Sequence, residues 1–145
     1  MAAGLTIKTD NISQFQRNFE NVVRKMTTPD DFLQTVLIDY ELDFSEISGE
    51  LIDELESLEP YGEGNPEPLF MTRNVKVSSS KIVGGNHRRM TLKQVSGKTA
   101  RPVNAIQFNI DTDAPLREHF HQIAFRLRWN RWNGRQTAQI IIEET

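Results

Sequence analysis

The sequence contains no cysteine, which excludes disulfides and any thiolate metal site. No stretch approaches the roughly 20 apolar residues that a membrane span needs. No apolar run follows a basic patch at the amino terminus, as a signal peptide would require. These absences suit a cytoplasmic protein. No glycine-rich loop opens onto a helix to cradle phosphate, and no nucleophile stands beside a candidate base. Catalysis by these residues alone is therefore not expected, and no catalytic residue is assigned. One further absence is local. Between Glu67 and Asp111 lie eight basic residues and no acidic one.

That gap exposes a division that the net charge of −3 conceals. Residues 1–68 carry 4 Lys/Arg against 15 Asp/Glu, and residues 69–145 carry 13 against 5. A partner meets the local field and not the average, so the second half is the candidate for polyanion binding. Apolar residues at 37% and charged residues at 26% of 145 allow an ordinary folded core.

The opening Met1-Ala2-Ala3-Gly4-Leu5-Thr6-Ile7 reads as a small-residue turn and a short strand. Ile12, Phe15, Phe19, Val22, Val23 and Met26 recur every three or four residues. This spacing predicts an amphipathic helix over 12–26, with Asn11 and Gln14 as a capping box and Thr28-Pro29 as its stop. Thr35–Leu42 could form a strand. Ser48 opens a second helix with Leu51, Ile52, Leu55 and Leu58 inward and Glu50, Asp53, Glu54 and Glu56 outward. The acidic stretch from Asp39 to Glu67 is accordingly a solvated face and not a metal site. Residues 60–68, Pro-Tyr-Gly-Glu-Gly-Asn-Pro-Glu-Pro, can be neither helix nor central strand, and the Gly62/Gly64 loop reads as a rigid interdomain turn.

Strands follow: Leu69–Val77, then Lys81–Val83 and Arg88–Val95 around Gly84-Gly85-Asn86. Ser96-Gly97-Lys98 turns the chain into Pro102–Ile110. Leu116–Gln122 is read as a helical turn. Ile123–Trp132 and Arg135–Glu143 flank Asn133-Gly134, the signature of a type I′ hairpin. The order β-β-β-α-β-β predicts an OB-fold, the five-stranded Greek-key barrel. The whole chain is then α+β: an N-terminal helical and strand segment (1–47), a helix and Pro/Gly linker (48–68) and the five-stranded barrel (69–145).

Strand alternation sends Ile123, Phe125, Leu127, Trp129, Ala138, Ile140, Ile142, Met90 and Leu92 to the core. Outside lie Arg89, Lys93, Arg126, Arg128 and Arg135, with Trp132 beside the turn. Cations track phosphates and an exposed aromatic stacks on bases, so these six are the candidate DNA-binding residues. Trp132 could instead cap the barrel end. His119 and His121 lack a carboxylate cluster at useful spacing and read as surface histidines, so no metal ligand is assigned.

The element Leu58-Glu59-Pro60-Tyr61-Gly62-Glu63-Gly64-Asn65-Pro66-Glu67-Pro68-Leu69-Phe70 resembles the segment that joins the nuclease core to the OB domain in RecJ exonucleases, with Tyr61 in place of the usual phenylalanine. Trp129-Asn130-Arg131-Trp132-Asn133-Gly134 is similar to that family's last hairpin. Met1–Thr6 resembles the stretch after the Gly-Gly-His motif of the DHH-associated domain, which would make 1–47 a C-terminal remnant of that domain. The resemblance implies a parent enzyme that degrades single-stranded DNA from the 5′ end in recombination and mismatch repair. Its Mn²⁺ or Mg²⁺ would be held by aspartates and histidines of a DHH domain. This sequence has no Asp-His-His and no Gly-Gly-His, so no cofactor is expected in this chain. The partner expected is single-stranded DNA. An alternative is a protein-interaction domain that docks the acidic tail of single-strand-binding protein. An RNA- or tRNA-binding OB domain is a third reading.

Overall fold

The computed structural model describes residues 4–28, 36–95 and 101–145. The expected turn at Ser96-Gly97-Lys98, residues Met1–Ala3, Pro29 and Thr35 lie outside these. The chain divides between Val36 and Leu37 into two compact units.

In the first unit, α1 runs Ile12–Met26, with the bounds its apolar spacing predicts. Phe15 and Phe19, one turn apart, stack with centroids at 5.6 Å. The expected capping box is absent. Asn11 is itself helical and makes no side-chain cap bond, because a 3₁₀ turn, Thr9–Asn11, already leads into the helix. The C-terminal stop is Thr27, whose N–H and hydroxyl both donate to Val23 O, at 2.9 and 2.7 Å. Gly4–Lys8 forms no strand.

The second unit opens with β1 (Tyr40–Glu41), only two residues of the strand expected over 35–42. Asp43 ends it by capping a 3₁₀ turn at Phe44–Glu46, with Glu46 reaching back to the Asp43 N–H. Ser48 caps α2 (Gly49–Ser57) by accepting the Leu51 N–H. Then come β2 (Phe70–Val83), β3 (His87–Gln94), β4 (Val103–Gln107), β5 (His119–Trp132) and β6 (Arg135–Glu144).

The strands hydrogen-bond in the order β2-β3-β4-β6-β5, and β2 also pairs with β5. Five strands thus close into a ring, as an OB-fold requires, and β1 lies parallel on β2 as a sixth. Closure depends on β2, whose first half pairs with β5 and whose second half pairs with β3. Asn74, at φ 55°, marks the bend between them. The two strands expected over 69–83 are therefore one. The helical turn expected at 116–122 is not formed: residues 108–118 contain no helix, and β5 begins at His119. Asn133 (φ 51°) and Gly134 (φ 72°) both adopt the left-handed conformation that a type I′ hairpin demands.

Inside the ring, Val75, Leu92, Ile123, Phe125 and Ile140 are fully enclosed, and Ile52 of α2 plugs onto the same core with Leu42 and Phe44. Trp129 packs at its margin. Residues 37–68, expected to stand apart from the barrel, thus belong to its unit. One side chain fastens the start of this segment. Gln94 Oε1 accepts the Phe44 N–H at 2.9 Å, and its Nε2 donates to Asp43 Oδ1 at 2.6 Å and to buried Thr72 Oγ1 at 3.1 Å. Replacing Gln94 by Leu strands these groups and should lower unfolding free energy by about 2 kcal/mol, measured as a shift of the urea midpoint.

Candidate nucleic-acid interface

On the outer face of the β2–β3 ladder, side chains stand in cross-strand rows. Lys81 lies opposite Arg89, Ser79 opposite Thr91, and Lys76 opposite Lys93. Lys76 also lies opposite His119 of β5. Lys76 and Lys81 are five residues apart, which on a regular strand would put them on opposite faces. The register shift between Val77 and Ser79 supplies one extra residue and returns both to the outside. Like charges directly opposite each other destabilise a sheet, yet two such pairs occur here. Among the described residues none of the four cations forms an ion pair. At the Lys81–Arg89 pair lies an open depression of about 230 Å³ lined by Ser79, Ser80, Lys81, Arg89, Met90 and Thr91.

The cations at the far end of β5 are differently engaged. Continuing the β2–β5 register three residues ahead of Phe70 puts Glu67 opposite Arg128. Arg128 Nε donates to Glu67 Oε1 at 2.6 Å and its Nη2 to Oε2, while Arg126 Nη1 donates to Oε2 at 3.1 Å. Arg126 Nε also stands 3.4 Å from Glu143 Oε1. The Glu67 side chain is only 9% exposed. Burial alone would raise its pKa. The hydrogen bond and charge of Arg128, followed by those of Arg126, outweigh burial and hold the carboxyl below its usual range. The hydrogen bond to Glu67 likewise raises the Arg128 pKa.

Beyond this cluster, α2 is tied to the same strand. Arg131 donates to both carboxylate oxygens of Glu56, at 2.6 and 2.7 Å, and Trp129 Nε1 donates to Asp53 Oδ1 at 2.8 Å. The acidic face of α2 is therefore partly spent on the barrel. Trp132 is 80% exposed at the hairpin tip, opposite Arg135. Arg88, one of the eight basic residues in the acid-free stretch, is 3% exposed and donates to Arg117 O and Ser80 Oγ. Its burial lowers its pKa.

The six predicted residues thus fall into three places. Arg89 and Lys93 share the β2–β3 face, joined by Lys76 and Lys81. Arg126 and Arg128 hold Glu67. Trp132 and Arg135 form the tip of the β5–β6 hairpin. From Lys81 back along β2 to Lys76, across to His119 and on to Arg128 is roughly 45 Å of strand at about 3.4 Å per residue, so these are separate surfaces. Lys76 and Lys81 escaped sequence reading because the bulge that aligns them leaves no mark in composition.

A five-stranded ring in this order, cationic on one outer face, belongs to the OB class of barrels, whose members commonly hold single-stranded nucleic acids. The RecJ OB-domain family model matches residues 38–144, essentially the second compact unit, and the chain belongs to that family. The single-stranded-DNA-specific exonuclease RecJ of Salmonella typhimurium is 32% identical over 148 residues, covering 99% of this chain and 25% of that protein. Its Escherichia coli counterpart is 31% identical over 147 residues, with the same coverage. The chain therefore spans about a quarter of the length of these relatives. A crystal structure of Thermus thermophilus RecJ in complex with Mn²⁺ superposes with a TM-score of 0.71 at 23% identity, covering 97% of this chain and 20% of that one, and a Mg²⁺ complex gives 0.70. This likeness extends the shared fold to the chain outside the barrel. Among the described residues no three His, Asp or Glu side chains converge as a metal site requires, so these residues do not fit such a cation. No described helix is long and apolar enough to cross a membrane.

Glu67→Gln keeps the shape and removes the charge that two guanidiniums share. It should cost about 1–3 kcal/mol at pH 7, read from denaturant midpoints. A carboxylate whose folded pKa lies below its unfolded value near 4.3 contributes stability that is complete above that value and fades as pH falls through the folded one. The gap between wild type and variant should therefore close on acidification from pH 6 towards pH 3.

Proposed function

We propose that this chain is the single-stranded-DNA-holding barrel of a RecJ-type 5′→3′ exonuclease of DNA repair and recombination, and that the strand lies along the β2–β3 face. The observation that carries this reading is the two pairs of opposed cations, Lys76 with Lys93 and Lys81 with Arg89, held on a closed ring without counter-ions among the described residues. The sheet loses stability by keeping like charges opposite each other, and a bound polyanion reverses that loss. Arginine and lysine here would contact phosphates, which gives affinity without base preference. The exposed Trp132 with Arg135 offers a separate stacking platform at the hairpin tip.

The assignment narrows the cationic set. Arg126 and Arg128 bind a carboxylate of the chain itself, so they hold the Pro/Gly segment in place, while Arg89 and Lys93 face outward with free donors. The same outward cations would suit an acidic protein tail, and a binding comparison separates the two partners.

Single-stranded oligonucleotide should bind more tightly than duplex, with log K falling linearly in log salt. Lys93→Ala with Arg89→Ala should flatten that slope by about 1.4, two contacts at about 0.7 each for a single strand, with thermal stability retained or raised. Fluorescence anisotropy across a salt series measures both. An unchanged slope in the double variant, or binding of an acidic peptide with no binding of DNA, would overturn the proposal.

A further inference from the structure

The β2–β3 cations do not end at the edge of that ladder. Lys93, Lys76 and His119 stand in one continuous cross-strand row, since Lys76 faces Lys93 on one side and His119 on the other. His121 follows two residues along β5, and the two imidazoles meet edge to face with centroids 5.9 Å apart. The strand conformation produces this pairing. Alternate residues of a strand share a face, whereas in a helical turn rings two apart would diverge. Arg117, His119 and His121 together line an open depression of about 400 Å³ with Phe120, Gln122 and Thr145.

The charged groups around these rings favour an external anion. From β2 come Lys76 and Arg73, and Arg73 already holds Glu41 of β1 at 2.9 Å. From β3 comes Lys93. On the approach to β5, Glu118 does not line the depression, and its charge acts on the buried Arg88. Glu144 and Thr145 close the end of β6. Among the described residues no ion pair engages Arg117, His119, His121 or Lys76. The third histidine is committed elsewhere: His87 Nδ1 accepts the Asn109 N–H at 3.2 Å, and its ring packs edge-on against Phe108 at 5.0 Å.

We propose that Arg117, His119 and His121 form a phosphate-binding extension of the Lys93–Lys76 row, so that a bound strand continues from β3 across β2 onto the start of β5. The proposal rests on the single-strand-binding reading above and adds a second strand of contact. Each added cationic phosphate contact steepens the salt dependence. The ligand is the phosphodiester backbone, so the effect is independent of base.

The test uses the full 145-residue chain and an oligothymidylate of about 20 nucleotides, with anisotropy across a salt series. Arg117→Ala should weaken binding at least about threefold and flatten the log–log slope by about 0.7. The His119→Ala/His121→Ala protein, first checked for an unchanged thermal midpoint, should also bind at least about threefold more weakly. Wild-type affinity retained in either variant overturns this proposal alone. No wild-type binding, even at low salt, instead overturns the single-strand reading beneath it.

Discussion

One strand with two partners governs this barrel. β2 must serve β5 with its first half and β3 with its second, and only its length of 14 residues lets it do both. The bend at Asn74 and the shift at Val77–Ser79 are the two places where the ladder yields. Closing the ring gives each of the five strands two neighbours, and β1 covers two residues at the start of β2. It also carries the cross-strand rows unbroken from β3 through β2 to β5, and that continuity gathers Lys93, Lys76 and His119 on a common line. Without the β2–β5 pairing these residues would belong to unrelated hairpins.

Charge is sorted by distance from that junction. Beyond the start of β2, where β5 extends alone with β6, every cation facing the helix and linker meets a carboxylate: Arg126 and Arg128 meet Glu67, and Arg131 meets Glu56. Among the described residues, Lys76, Lys81, Arg89 and Lys93 on the β2–β3 face meet none. Acidic residues of the first half therefore neutralise one end of the barrel and leave the other end positive. A net charge of −3 is thus compatible with a surface suited to polyanions.

Much of this was legible in the sequence. The α1 bounds, the Ser48 cap, the Asn-Gly turn and the OB strand order all follow from local chemistry, namely periodicity, capping and turn residues with positive φ. The alternation that sends Leu92 and Phe125 inward and Arg89 and Lys93 outward follows from the pleat. Illegible were events set by tertiary register. The bulge that turns Lys81 to the side of Lys76 is one, and the capture of Arg126 and Arg128 by a glutamate some 60 residues earlier is another. At 116–122 the apolar Leu116 and Phe120, four residues apart, fit one face of a helix or of a strand equally well in isolation. Pairing with β2 decides for strand from His119 onward, and that same choice brings two histidines onto one face.

The clasp around Glu67 has a mechanical meaning. Glu67 attaches the Pro/Gly segment to β5, and Asp53 and Glu56 attach α2 to that strand a few residues further along. All three anchors grip the second half of a single strand whose beginning carries His119. Tension on the backbone ahead of α2 would meet two fastenings in turn: β1 and the Gln94 clasp on β2 and β3, and then these three anchors on β5. The load is thus shared among three strands of the ring instead of falling on one.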